Sequence, residues 1–349
     1  MTMYYPVNII ADASLPDLTR YFKTPEFKLS TYDADTLHPK LQDNTILLCR
    51  STLQVNQALL ENTTIRYVAT ASSGSCHLDK VYLESKNIAW MDAKGANQEA
   101  VTDYMLCLFS YLDISLHQRI GIMGMGHVGS LLCQRLQTLG FKVIAYDPPR
   151  ADHDATFDSA SFDAFCKADV FCIHAEYHNG EYHPTHHSLS HAFFDAIKPG
   201  AIILNAARGD IIDELALLTH PKPLTYCTDV YSHEPSPNPA ILARAALCTP
   251  HIAGHSIEAK RRAVYFAAKA IYQVRSLPPP KAPDILTMPP MSLNSNWQRH
   301  YKGLYNPIHD SKLLKSAKDI KTTFLAARKK HQQRHDAGVS AALTPACLD

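Results

Sequence analysis

The sequence has no apolar run long enough to span a bilayer and no charged-then-apolar pattern at its N-terminus, so a cytoplasmic protein is expected. It also lacks a dominant charge. Lys and Arg number 34 against 33 Asp and Glu, a formal net charge of +1, which gives no electrostatic drive toward nucleic acid or a membrane surface. No C-x-x-C pair occurs. The nine cysteines stand singly at Cys49, Cys76, Cys107, Cys133, Cys166, Cys172, Cys227, Cys248 and Cys347, mostly inside apolar runs. Odd, dispersed thiols suit neither a disulfide framework nor a zinc ribbon, so reduced and largely buried cysteines are expected. No repeat at a solenoid period is visible.

What is present is a globular composition, 46% hydrophobic and 19% charged over 349 residues, enough for two ordinary domains and a small third. Short apolar runs read as strands at 7–11, 46–49, 67–71, 119–123, 143–146, 170–174, 201–205, 224–228 and 246–249. Amphipathic stretches lie between several of them. Val128, Leu131, Leu132, Leu136 and Leu139 recur at helical spacing, and Gly140 follows as a stop. Alternation of this kind argues for an α/β protein with parallel sheets covered by helices on both faces. Pro278, Pro279, Pro280 and Pro283 end a helix and open a linker to a more polar, mainly helical appendage.

Gly124, Gly126 and Gly129 form a G-x-G-x-x-G loop. The pattern alone is weak, but here it follows an apolar strand and opens an amphipathic helix through His127 and Val128. An acid, Asp147, ends the next strand. The first glycine allows the tight turn, the second lets backbone approach a pyrophosphate, and the third lets helix pack on strand. The helix N-terminus offers free N–H groups to the anion. Asp147 would accept from the adenosine ribose hydroxyls, which favours NAD over NADP, although the nearby Arg150 could soften that choice.

Three later segments each end an apolar strand, where ligands meet the C-terminal edges of a doubly wound sheet. They are Asn205-Ala-Ala-Arg-Gly-Asp, Thr228-Asp-Val-Tyr-Ser-His-Glu-Pro and Thr249-Pro-His-Ile-Ala-Gly. Oxidising a 2-hydroxy acid needs a carboxylate clamp, a base for the hydroxyl proton and a hydride acceptor. Arg208 offers the first, His251 the second with Glu234 to orient it, and NAD the third. Any one of these residues alone would more often be an ordinary loop residue.

In this order the segments resemble the D-isomer-specific 2-hydroxyacid dehydrogenase family. The resemblance implies Arg208 on the carboxylate, His251 as acid/base and Glu234 as its partner. It further implies Ala175, Ala206, Asp229 and Gly254 along the cofactor. Asp147-Pro-Pro-Arg-Ala, Gly180-Glu-Tyr-His-Pro-Thr-His-His, Leu48-Cys-Arg-Ser-Thr-Leu and Tyr305-Asn-Pro-Ile-His-Asp are similar to the branch acting on a phosphorylated four-carbon acid. That likeness implies oxidation of 4-phospho-D-erythronate on the way to pyridoxal 5′-phosphate, with Ser51, Ser72 and His255 as substrate contacts. A phosphate needs a cationic recess, for which Arg50 is the candidate. His255, Cys76 and Ala175 stand where that branch usually has Tyr, Asp and Thr. The alternatives are another D-2-hydroxyacid dehydrogenase, such as one acting on phosphoglycerate, and an NAD-sensing corepressor-like protein.

The expected architecture is two Rossmann-like doubly wound lobes with the active site in the cleft between them. Residues 1–98 with 258–277 would bind substrate, 99–257 would bind NAD, and 284–349 would mediate a homodimer. The tract His178, His183, His186, His187 and His191 lacks cysteine or carboxylate at ligand spacing and reads as a surface or lid loop; no metal is expected. The basic run from Ala326 to Arg334 reads as a solvated helix face.

Overall fold

The computed structural model describes residues 5–33, 37, 41–287, 297–331 and 334–338. The chain divides into two compact units, Met1–Asn97 with Ile257–Pro289, and Gln98–Ser256 with Pro290–Asp349.

The first unit is a five-stranded parallel sheet of β1 (Val7–Asp12), β2 (Phe27–Tyr32), β3 (Ile46–Cys49), β4 (Tyr67–Thr70) and β5 (Ala89–Asp92), in the order β2-β1-β3-β4-β5. Every pairing is parallel, with Ile10 opposite Leu47 and Leu48 opposite Ala69. Central strands covered on both faces must be apolar throughout, and all residues of β3 and β4 are buried. The edge strands β2 and β5 have no such requirement. Their mixed sequences, Phe-Lys-Leu-Ser-Thr-Tyr and Ala-Trp-Met-Asp, are part exposed, and so they escaped the apolar-run reading. The helix Ile257–Val274 places Val264, Ala267, Ala268 and Ile271 in one core with Ile9, Leu48 and Ala69. Those positions recur at three and four residues, so a single stripe faces the sheet.

The second unit is a six-stranded parallel sheet of β6 (Arg119–Met123), β7 (Lys142–Tyr146), β8 (Val170–Ile173), β9 (Ile202–Asn205), β10 (Thr225–Thr228) and β11 (Leu247–Cys248), in the order β11-β10-β9-β8-β6-β7. Strand order reverses beside β6, where doubly wound sheets open a crevice at their C-terminal edge. The helix Gln98–Tyr111 is buried from Ala100 through Ser110. On the other face, Phe165, Phe171, Phe193 and Phe194 are fully buried together, each contributing about 2–3 kcal/mol by leaving water. The helices Trp297–Leu304, Pro307–Lys315 and Ile320–Lys330 pack into this unit. Trp297 and Tyr301 join the core of Phe109 and Phe141, while Leu314 and Phe324 join that of Phe193. Among the described residues every cysteine is free and six are buried; Cys347 lies outside them. No helix among the described residues is long and apolar enough to cross a membrane.

Candidate active site

Gly124 follows β6 with φ +89, and a Cβ there would lie 2.4 Å from the Ala175 backbone. A Cβ on Gly129 would lie 1.9 Å from the Gly124 carbonyl oxygen. Turn and helix therefore lock against each other only through glycine. Gly126 differs, because a Cβ there would meet nothing within 4 Å. It caps the helix His127–Thr138 without a side-chain hydrogen bond, so the first-turn N–H groups remain for an anion. Open space beside an uncapped helix end fits a dinucleotide pyrophosphate.

Asp147 sits at the end of β7. Its Oδ2 accepts from Met125 N at 2.6 Å and its Oδ1 from Arg150 N at 3.1 Å. The carboxylate thus fixes the glycine loop to the end of β7. Arg150 is committed elsewhere. Its Nε and Nη2 lie 3.2 and 3.1 Å from Asp154 Oδ2, and its Nη1 donates to Met125 O and Ser130 Oγ. The guanidinium also covers the Phe157 ring at 4.5 Å. Engagement on all three sides removes it as an evident receptor for a 2′-phosphate.

The segments after β9, β10 and β11 close on one another. Asn205 holds the first, accepting from Ala207 N at 3.1 Å and donating to Arg208 O at 3.0 Å. Arg208 Nη1 donates to Ala207 O at 2.6 Å. The glycine that follows is required by close approach, since a Cβ on Gly209 would stand 2.0 Å from the Tyr231 carbonyl carbon. Glu234 Oε1 accepts from Tyr231 N at 3.1 Å, and its Oε2 lies 2.5 Å from His251 Nδ1. Burial would raise the Glu234 carboxyl, but the His251 ring and the donated Tyr231 N–H together hold it below the ordinary value. A carboxylate on Nδ1 fixes the ring so that Nε2 is the nitrogen left to exchange a proton.

His251 has φ +55, a left-handed conformation that costs a non-glycine residue about 1 kcal/mol or more. Asp229 explains how it is held. This carboxylate is 1% exposed; Oδ1 accepts from Thr249 Oγ1 at 2.7 Å and Ile252 N at 2.8 Å, and Oδ2 from Ala253 N at 2.8 Å. Burial raises its pKa, with His251 and the donated hydrogen bonds pulling the other way. Tyr104 donates to Thr249 Oγ1 at 2.7 Å and Tyr231 to Thr249 O at 2.9 Å. Asp229 thereby braces the loop that carries His251.

In the first unit, Ser51 N donates to Ser72 Oγ at 2.9 Å, joining the loops after β3 and β4. Arg50 Nε donates to Asp12 Oδ2 at 2.8 Å, and its side chain is 36% exposed. Despite burial, the Ser14 and Arg50 hydrogen bonds keep Asp12 below the ordinary carboxyl value. Lys260 was not anticipated. It lies one turn before Ala263 and Val264, the helix residues that pack near Ala71, so it leaves the same face at the end of β4. Burial lowers its ammonium to about 8, with repulsion from Arg50 adding to the shift. Its spacing from Val264 on the apolar stripe was the available signal.

His255 N donates to Ile252 O at 2.9 Å. In the histidine tract, His183 Nε2 meets Asp152 Oδ2 at 2.9 Å and the His186 and His187 rings stack at 3.9 Å. No group of three or more metal-ligating side chains occurs among the described residues. The basic tail is a solvated helix face as far as the helix runs, with Ala326, Lys329 and Lys330 exposed, but not at Arg334. Its helix stops at Lys330, and Arg334 turns inward onto Ala100 O and Ala253 O.

Residues 108–253 match the profile of the D-isomer specific 2-hydroxyacid dehydrogenase NAD binding domain. A protein of Legionella pneumophila named erythronate-4-phosphate dehydrogenase is 41% identical over 333 residues, covering 95% of each chain. One of that name from Coxiella burnetii is 35% identical over 74% of this chain and 71% of its own. Among solved structures, D-lactate dehydrogenase from Aquifex aeolicus, complexed with NAD and lactic acid, superposes with a TM-score of 0.62 at 21% identity. The match covers 77% of this chain and 96% of that one. The 3-phosphoglycerate dehydrogenase of Entamoeba histolytica gives 0.63 at 17% identity, over 78% and 96%.

Proposed function

The chain belongs to the erythronate-4-phosphate dehydrogenases, within the D-isomer-specific 2-hydroxyacid dehydrogenase family, and from that premise we propose that it oxidises 4-phospho-D-erythronate to 2-oxo-3-hydroxy-4-phosphobutanoate in pyridoxal 5′-phosphate biosynthesis. The observation that carries this reading is the Glu234–His251 pair at 2.5 Å, on a loop braced by Asp229. Arg208 clamps the substrate carboxylate. His251 Nε2 takes the hydroxyl proton, and Glu234 stabilises the resulting imidazolium while fixing the ring. Gly126, Asp147, Ala175 and Ala206 would hold NAD⁺, which when bound would supply the acceptor for the hydride on the substrate's second carbon. Ser51, Ser72, Arg50, Lys260 and His255 recognise the rest of the substrate, with the two cations reading its phosphate.

The C-terminal helices, which expose Ile308, Leu313 and Leu325, mediate a homodimer, and the protein works in the cytoplasm. The test offers purified protein 4-phospho-D-erythronate, 3-phosphoglycerate and D-lactate separately, with and without a 2-oxo acid to reoxidise NADH. Preference for the four-carbon phosphate, lost in His251→Ala while NADH still binds, is expected. Turnover of only another acid overturns the substrate. Cofactor binding with no turnover of any acid overturns the enzyme reading in favour of a sensor.

A further inference from the structure

The described end of the chain reaches back to the loop that carries His251. Arg334 Nη2 donates to Ala253 O at 2.6 Å and to Ala100 O at 3.1 Å, and its guanidinium lies 5.7 Å from the Tyr305 ring centre. Three residues on, Ala337 N donates to Asp103 Oδ2 at 2.7 Å. Asp103 is buried on the helix Gln98–Tyr111, where Arg135 Nη1 also donates to it at 2.6 Å. The segment is therefore fastened to that helix and to the catalytic loop together.

The peptide units around Ala253 are gripped from two sides by opposite charges. Asp229 takes the N–H groups of Ile252 and Ala253, and Arg334 takes the Ala253 carbonyl. Each charge meets the end of the peptide dipole that it complements. Stability alone is a poor reason for an arginine here. Its Nε and Nη1 are shielded from water without a hydrogen-bond partner, and it makes no ion pair with any described residue. What the side chain does accomplish is to pin the loop whose strained residue is the acid/base.

We propose that Arg334 is a positioning residue of the active site, acting through the Ala253 carbonyl to hold the His251 loop in its reactive conformation. The inference rests on the role given to His251. A misplacement of about 1 Å in such a group lowers turnover about a hundredfold, so a carbonyl brace distant in sequence controls kcat without touching substrate.

The experiment compares wild type, R334A, R334K, H251A and H251A/R334A on whichever 2-hydroxy acid the wild type oxidises, so an error in the substrate assignment leaves it intact. NADH affinity is titrated by fluorescence in each. R334A should lose about tenfold to a hundredfold in kcat, with KM and NADH affinity within about threefold. R334K, which keeps a charged donor, should recover most of that loss. In the H251A background the second substitution should change the residual rate little, because a brace for an absent side chain has nothing left to position. Full kcat in R334A, or an equal further loss on top of H251A, overturns the proposal. Should R334A fail to fold, R334Q keeps an uncharged donor and is read in the same way.

Discussion

At the scale of single residues, burial and partner decide what each charged group is available to do. Asp147, Asp229 and Glu234 are three carboxylates at strand ends, yet each is engaged differently. Asp147 holds Met125 N, Asp229 is closed around the loop that carries His251, and Glu234 serves one histidine. The same reasoning separates the cations. Arg150 is engaged by Asp154 and the glycine loop, whereas Arg50 keeps only its Nε on Asp12, close to Lys260. Lys260→Gln should therefore raise KM for the phosphorylated acid about tenfold or more, because one of two charge-assisted contacts is lost. KM for unphosphorylated D-erythronate should change little, and Lys260→Arg should restore most of the affinity. Steady-state kinetics with both acids checks this; equal loss for both would remove Lys260 from the phosphate site.

At the scale of elements, the strand–loop–helix unit from β6 through the helix His127–Thr138 separates fold from function within six residues. Gly129 has no room for a side chain, since the atom it would strike is the backbone oxygen of Gly124. Gly129→Ala should cost about 3 kcal/mol, measured as a fall in the urea midpoint of the protein without cofactor. Gly126 has φ −72 and open space, so Gly126→Ala should leave that midpoint within about 0.5 kcal/mol. Its methyl would nevertheless occupy the approach of the pyrophosphate, and NADH affinity should drop about tenfold or more. A Gly126→Ala protein that binds NADH like wild type would sink the assignment of this loop to the cofactor. Edge strands show the limit of local reading. β2 and β5 are strands because the neighbouring strands offer them free backbone groups, and their own composition barely signals it.

At the scale of the whole molecule, each unit carries a shielded histidine whose protonation opposes folding. In the first, His77 Nε2 lies 2.9 Å from Thr70 Oγ1, and burial lowers its pKa from 6.5 to about 4. In the second, His174 follows β8 beside the glycine loop, and burial lowers it from 6.5 to about 3. Both folded values lie below the unfolded one, so the unfolded chain takes up protons first. Stability from these groups is complete above about pH 6.5 and is lost as pH falls toward 4 and 3. By pH 4 each should remove roughly 2 kcal/mol. Urea unfolding between pH 7.5 and 4 checks this, with His77→Gln and His174→Gln each expected to flatten the slope. An unchanged slope in both variants would assign the acid sensitivity to other groups.

Much of this protein was legible in the chain itself wherever a requirement is local. A tight turn that only glycine fits, a helix stripe recurring every three or four residues and apolar runs for doubly covered strands are each encoded by contiguous residues. The ordered segments carrying Arg208, Glu234 and His251 belong to the same class, and with them came the α/β fold and the dehydrogenase chemistry. Tertiary structure alone decided which charges are engaged and which remain available. Arg334 meets Ala253 across 81 residues of chain, Lys260 approaches Arg50 from a helix that rejoins the first unit, and Asp229 closes on a loop 23 residues later. Such partnerships depend on burial and on peptide groups brought together by packing, and neither quantity has a period or a spacing in the sequence.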